Sequence, residues 1–304
     1  MSNTAQTNMR LTNYAQGISQ DLSRKLADFI APRVPTGGSY GQFKKFSDKN
    51  AFQVYDTARA MGGEARTIEF ADSDPYYNCT PQALKIGIDD AERKRAGDND
   101  RLLEEAKVKT LVSAATLSHE AKVFAKVFAS LTAVAGKGVW SNAAVDPVAQ
   151  LNEQIKAISD ETGIMPNRIV FGLSAWAVFI DHTLVKARQP GAELIAMTTD
   201  KMKPMLLNPS MQIEIGVLSK DSKKFGADKS ATNIVGGEVI IFYGQDNPSL
   251  YDPSAFKTFE TVGGGVDSVK QYRDNSRSSD MYQVDWSEDI QDVAPTLARR
   301  ITLS

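Results

Sequence analysis

His119–Glu120 opens the pattern of a zinc-peptidase helix, in which two histidines four residues apart face one metal and the glutamate acts as base. Valine at position 123 removes the second ligand, so a helix histidine in a structural role is the better reading. Gly172–Leu173–Ser174–Ala175–Trp176 has the serine of a nucleophile elbow, but tryptophan stands where the sharp strand-to-helix turn needs glycine. Ser174 therefore reads as a helix N-cap. Gly136–Lys137–Gly138 lacks both the glycine five residues earlier and the hydroxyl after the lysine that a phosphate-binding loop uses. Gly263–Gly264–Gly265 lacks the dinucleotide spacing and reads as a flexible turn. Cys79, in Tyr76–Tyr77–Asn78–Cys79–Thr80, has no base nearby in the chain and reads as a small apolar filler. Asp72 and Asp74 have the spacing of a divalent-cation loop but read as solvated carboxylates. Tyr272, Tyr282 and Trp286 could stack on bases, yet no basic cluster lies between them to follow a phosphate backbone. No catalytic, cofactor-binding or metal-ligating set emerges, and the expectation is a protein that is not an enzyme and takes no cofactor.

The elements that would have positioned such residues are nonetheless well marked. The chain has 304 residues, 42% hydrophobic and 24% charged, enough for one large domain or two ordinary ones. Its 35 Lys and Arg nearly balance 37 Asp and Glu, which excludes a broad nucleic-acid-gripping face. A single cysteine excludes an internal disulfide framework. The polar start, residues 1–8, lacks the apolar core of a secretory leader, and the longest nearly apolar run, 169–180, is too short to span a bilayer. These features point to assembly in a reducing cytoplasm, without a membrane.

Residues 22–30 carry a short helical face, and Pro32, Pro35, Gly37 and Gly38 break it. With seven basic and three acidic residues, 1–49 reads as a basic arm. Residues 51–88 alternate like strands around a turn at Met61–Gly62–Gly63–Glu64, with a third strand at Leu84, Ile86 and Ile88. A long helix is expected over 98–131, its N-terminus marked by Asp98 and Asp100 and its end by Gly136 and Gly138. Its apolar stripe is expected at Leu103, Ala106, Ala114, Leu117, Ala121, Phe124, Phe128 and Leu131. Residues 146–250 read as a compact α/β unit. A helix starts at Asp146–Pro147 and stops at Gly163, and strands are expected at 168–171, 212–218 and 238–243, with a loop over 219–233. Residues 251–304 return to β-structure as a second sheet.

This order of elements resembles the major capsid protein family of tailed bacteriophages, with the Hong Kong ninety-seven type of shell fold. The resemblance rests on Arg59–Ala60–Met61–Gly62–Gly63–Glu64 as an extended-loop tip and on Tyr77–Asn78–Cys79. It also rests on the run from Ala83 to Glu92–Arg93 as the returning strand and its join to the spine. Leu117–Ser118–His119–Glu120 within the long helix, and 163–171 as the strand entering the axial domain, complete it. The resemblance implies an α+β fold. It comprises an N-terminal arm (1–50), an extended β-hairpin loop (51–88), a peripheral domain with a spine helix (89–145, with its β-sheet in 251–304) and an axial α/β domain (146–250).

It further implies a subunit that forms hexamers and pentamers of an icosahedral shell around double-stranded DNA, in the virion and assembled in the bacterial host cytoplasm. Its implied partners are further copies of itself, a separate scaffolding protein, a portal protein and packaged DNA held by weak nonspecific contacts. Arg59, Gly62, Gly63, Glu64 and Arg66 are the expected inter-subunit contacts. The alternatives are a nanocompartment shell of the same fold around protein cargo, a tube or sheath protein, or an enzyme with an unusual site.

Overall fold

The structure, a computed structural model, describes residues 6–7, 25–45, 57–59, 61–65, 75–188, 197–221, 223, 230–262 and 268–303. The described chain begins with β1 (Gln6–Thr7), α1 (Ala27–Ile30), β2 (Arg33–Thr36), β3 (Tyr40–Gln42), β4 (Tyr76–Asn78) and β5 (Thr80–Asp89). A short helix α2 (Asp90–Ala96) and a 3₁₀ turn lead into the long helix α3 (Asp100–Ser130). Then follow α4 (Pro147–Thr162), β6 (Arg168–Gly172), α5 (Leu173–Asp181), α6 (Thr183–Ala187), α7 (Thr199–Met202) and β7 (Gln212–Gly216). The chain closes with β8 (Ser219–Asp221), β9 (Ala231–Asn233), β10 (Glu238–Phe242), β11 (Phe256–Thr261), β12 (Val269–Asp274), β13 (Ser279–Asp292) and β14 (Ala298–Thr302).

The larger sheet is organised around β13. One edge of β13 pairs with β5 from Ser279↔Asp89 to Glu288↔Thr80. The other edge takes β12 along its first half and β11 along its second, with β1 flanking β12 and β2 lying parallel to β11. The smaller sheet has the order β14-β10-β6-β7, with β6 and β7 parallel.

Helix α3 spans both cores. Its 31 residues make a rod about 46 Å long. Val108, Leu111, Val112 and Ala115 pack on Ile88, Val269, Tyr282, Val284 and Trp286 of the large sheet. Val123, Phe124, Val127 and Leu131 enter the other core, with Ile169, Val170, Phe171 and the buried faces of α4 and β10.

The buried stripe is rotated from the expected one: Ala106 and Ala114 are exposed, and the stripe runs through His119 and Glu120. A polar pair at buried positions hides that face from a hydrophobic pattern. Helix α3 also stops at Leu131, before the expected glycines. There Ala133 and Val134 turn out to pair with Arg300 at the edge of β14.

Helix α4 forms as its sequence dictates. Asp146 accepts the Val148 and Ala149 amides, Pro147 fills the first turn, and Gly163 (φ +66°) ends the helix in the left-handed region.

Three assignments differ from the sequence reading. The segment 219–233 contains the paired strands β8 and β9 rather than loop alone. The last strand, β14, pairs with β10 of the smaller sheet instead of joining the large one, because Val239↔Ile301 and Ile241↔Arg299 set its register. The segment 25–36 is not a free arm: Leu26, Ala27, Ile30 and Ala31 are buried in the core shared with α3, and β2 is a strand of the large sheet.

Candidate subunit interface

Strands β3 and β4 form a two-stranded ribbon from which residues 46–74 depart and to which they return. The Phe43 amide donates to the Pro75 carbonyl at 3.1 Å, and the Cys79 amide to the Ser39 carbonyl at 2.7 Å, so the two ends are tied together. Alternation along the ribbon buries Phe43 and Tyr77, which with Cys79 pack on Val34, Phe259 and Val293. Tyr77 stacks on Phe259 with ring centroids 4.9 Å apart. The opposite face is open to solvent and carries Tyr40 and Tyr76, stacked at 5.0 Å.

At the expected tip, Met61 and Gly62 form a turn with Gly62 in the left-handed region (φ +78°). Arg59, Met61, Gly62 and Glu64 are exposed and Gly63 is half-buried. Arg66, and the hairpin strands expected over 52–56 and 66–70, lie outside the described residues.

The residues that could have done chemistry are engaged elsewhere. Ser174 sits inside the first turn of α5, whose N-cap is Gly172, so the N-cap reading of this serine is corrected. Val123 is in the core. Cys79 is buried, burial pushes its thiol pKa up and so disfavours the thiolate, and its Sγ donates to the Phe259 carbonyl at 3.5 Å. Lys137 pairs with Glu153. Both ring nitrogens of His182 are engaged, Nδ1 accepting the Leu184 amide and Nε2 facing the Asn142 carbonyl, each at 3.3 Å. Tyr282 and Trp286 are core residues of β13. Among the described residues, no group of three or more His, Cys, Asp or Glu side chains could hold a metal ion, and no helix is long and apolar enough to cross a membrane. Asp72, Asp74 and the glycines at 263–265 lie outside the described residues.

Two ionic clusters bind the elements to each other. At the N-terminal end of α3, the Arg93 guanidinium reaches Glu104 and Asp280 at 3.0 Å and the Tyr282 hydroxyl at 2.9 Å, and also pairs with Asp100. Arg93 thus fastens α2 and α3 to β13, which gives physical content to the acidic–basic join read at Glu92–Arg93.

The second cluster, at the middle of α3, was missed by sequence reasoning. His119 is 2% exposed. Its Nδ1 lies 2.7 Å from Glu288 Oε2 on β13, and its Nε2 lies 3.8 Å from Asp28 Oδ1 on α1. Lys122 reaches the other Glu288 oxygen at 3.3 Å. Arg33 on β2 joins Asp28, at 2.7 Å, to Glu260 on β11, at 2.8 Å. Glu120 accepts the Ala27 amide at 2.9 Å.

These neighbours set the protonation of the cluster. Burial alone would raise the Glu288 pKa, but the His119 hydrogen bond and charge, with Lys122, bring it down to about 2. Asp28 is half-exposed; its partial desolvation opposes the charge, yet His119 and Arg33 hold it well below the usual carboxylate range. Burial opposes a charge on His119, and the two carboxylates beside it prevail, raising its pKa above the ordinary 6.5. Burial pushes the Glu120 carboxyl up. The only sequence signal for this cluster was a pair of polar residues inside an otherwise apolar helix face.

No protein-family model matches the chain. It is similar to a major capsid protein of Burkholderia phage BcepMu, 24% identical over 265 residues that cover 84% of each chain. Among solved structures it is similar to a phage-related protein of Bordetella bronchiseptica, with TM-score 0.74, 22% identity, and 99% of this chain and 97% of the other covered. It is also similar to an encapsulin of Synechococcus elongatus, with TM-score 0.55, 10% identity and coverages of 91% and 86%. The long helix, the sheet built on β13 and the separate four-stranded sheet are thus parts of the α+β Hong Kong ninety-seven type shell fold, and the chain resembles the major capsid proteins of tailed bacteriophages.

Proposed function

We propose that this chain is the major capsid protein of a tailed bacteriophage, building an icosahedral shell of hexamers and pentamers around double-stranded DNA. The observation that carries the reading is the similarity to the phage BcepMu capsid protein along 84% of both chains, together with the shell fold. In this reading function is a sum of interfaces between subunits.

In this reading, 1–50 is the arm, 51–88 the extended loop, 89–145 with much of 251–304 the peripheral domain, and 146–250 the axial domain, which β14 completes. The loop tip at Arg59, Gly62, Gly63, Glu64 and Arg66 contacts a neighbouring subunit. A scaffolding protein and a portal protein act in assembly in the host cytoplasm, and the mature location is the virion. Packaged DNA is held by weak nonspecific contacts, in keeping with the net charge of -2.

The likeness to an encapsulin supports a second reading, a compartment shell around protein cargo. Electron microscopy of the particles, with analysis of their contents, tests both. Closed polyhedra that protect duplex DNA from nuclease support the virion reading. Closed polyhedra filled with a co-purifying protein support the compartment reading, and open tubes or small oligomers overturn both.

A further inference from the structure

Three segments distant in sequence meet at His119. The N-terminal segment contributes Asp28 from α1 and Arg33 from β2, helix α3 contributes Glu120 and Lys122 beside His119 itself, and β13 contributes Glu288. Glu260 of β11 closes the ring through Arg33. The imidazole stands between two carboxylates of different elements. Among the described residues its Nε2 has no partner within hydrogen-bond distance and faces Asp28 Oδ1 at 3.8 Å.

We propose that His119 is a pH-dependent latch that seats the N-terminal segment on the spine helix. Protonated, the ring carries the positive charge that joins Asp28 to Glu288. Neutral, it leaves half-exposed Asp28 facing an uncharged nitrogen, and among the described residues Asp28 keeps Arg33 and the buried Glu288 keeps Lys122 as charged partner. The segment so held inserts its own Leu26, Ala27 and Ile30 into the core, each 4% exposed or less. Seating of residues 25–36 therefore depends on the protonation of one side chain.

The sign follows from the direction of the histidine shift. Folding raises the His119 pKa above 6.5, so the latch is fully closed below that value and opens as pH rises through the folded-state value. The acid side is governed separately by Glu288 and Asp28.

Hydrogen exchange of the full-length protein between pH 6 and pH 9, corrected for the intrinsic pH dependence of exchange, tests the latch. Amides of 27–36 are expected to lose protection about tenfold across this range, while amides of 108–112 in α3 keep theirs. His119→Gln, neutral at all pH, is expected to show the low protection throughout and no step. Because Glu120 also faces the segment, Glu120→Gln is the control, and the step persists in it.

The chain has only two histidines, so NMR titration reads His119 directly. Its pKa lies above 6.5 and falls in Asp28→Asn, a readout that stands if His119→Gln does not fold. Flat protection in the native chain, a step that survives His119→Gln or vanishes in Glu120→Gln, or a His119 pKa below 6.5 overturns the proposal.

Discussion

The α-carbon of Gly172 lies against the carbonyl of Gly236, so close that a methyl group placed on it overlaps both the oxygen and the carbon of that carbonyl. Gly172 is the last residue of β6 and the N-cap of α5, so the contact fixes where strand passes into helix. Gly236 lies in the turn that leads into β10, so relief of the overlap has to move β6 or β10, two strands paired with each other. Gly172→Ala is expected to destabilise the chain by about 3 kcal/mol. At Gly37 an added methyl meets nothing within 4 Å, and Gly37→Ala is expected to stay within about 0.5 kcal/mol of the native chain. Urea unfolding of the two variants side by side reads the difference.

Arg93 is the fastener between α2, α3 and β13. Its removal leaves Glu104 and the Tyr282 hydroxyl with one charged partner fewer in a partly buried site. Arg93→Ala is expected to cost about 2 kcal/mol. Arg93→Lys recovers only part of this, since one ammonium cannot reach the four groups that the planar guanidinium meets. Thermal melts of the three proteins provide the measurement.

Glu288 gives stability an acid limb. Its carboxyl titrates at about 2 in the folded protein against 4.5 when free, so its contribution is complete above pH 4.5 and is lost as pH falls towards 2. The shift corresponds to roughly 3 kcal/mol. Glu288→Gln is expected to be less stable at neutral pH and to lose correspondingly less between pH 5 and pH 2. Denaturant midpoints along that range would show the two curves converging; parallel curves contradict the assignment.

Arg59 and Glu64 are exposed at the loop tip and contribute little to the fold of one chain. Arg59→Glu combined with Glu64→Lys is expected to leave the melting temperature unchanged and to lower the yield of closed particles several-fold. Light scattering and electron microscopy follow assembly. A drop in melting temperature places these residues inside the subunit instead.

Elements with local signals were legible in the sequence: α4 from Asp146–Pro147 to Gly163, the strands β6, β7 and β10, and the period-two run of β5. The order of these elements was enough to point to the shell fold. Features decided by distant partners were not legible. Ala298–Thr302 alternates no differently from β12, and only pairing with β10 assigns it to the smaller sheet. The buried face of α3 carries His119 and Glu120, which a hydrophobicity pattern places outside, because their partners Glu288 and the Ala27 amide lie 169 and 93 residues away. The loop tip was read from a Gly–Gly turn alone, and the structure shows that turn exposed at Met61 and Gly62.

Strand β13 pairs with β5 across some two hundred positions of sequence, and β14 completes the smaller sheet only at Ala298–Thr302. Neither sheet can close until segment 279–302 is available to pair with strands far upstream. Such non-local closure is slow. It also has a protective side: the surface that α3 and β5 present jointly does not exist on a growing chain. In the shell reading proposed above, a chain that has not yet joined these strands therefore lacks native surface through which copies associate. In that reading, the two sheets let a chain expose its partner surfaces only after it has paired with itself.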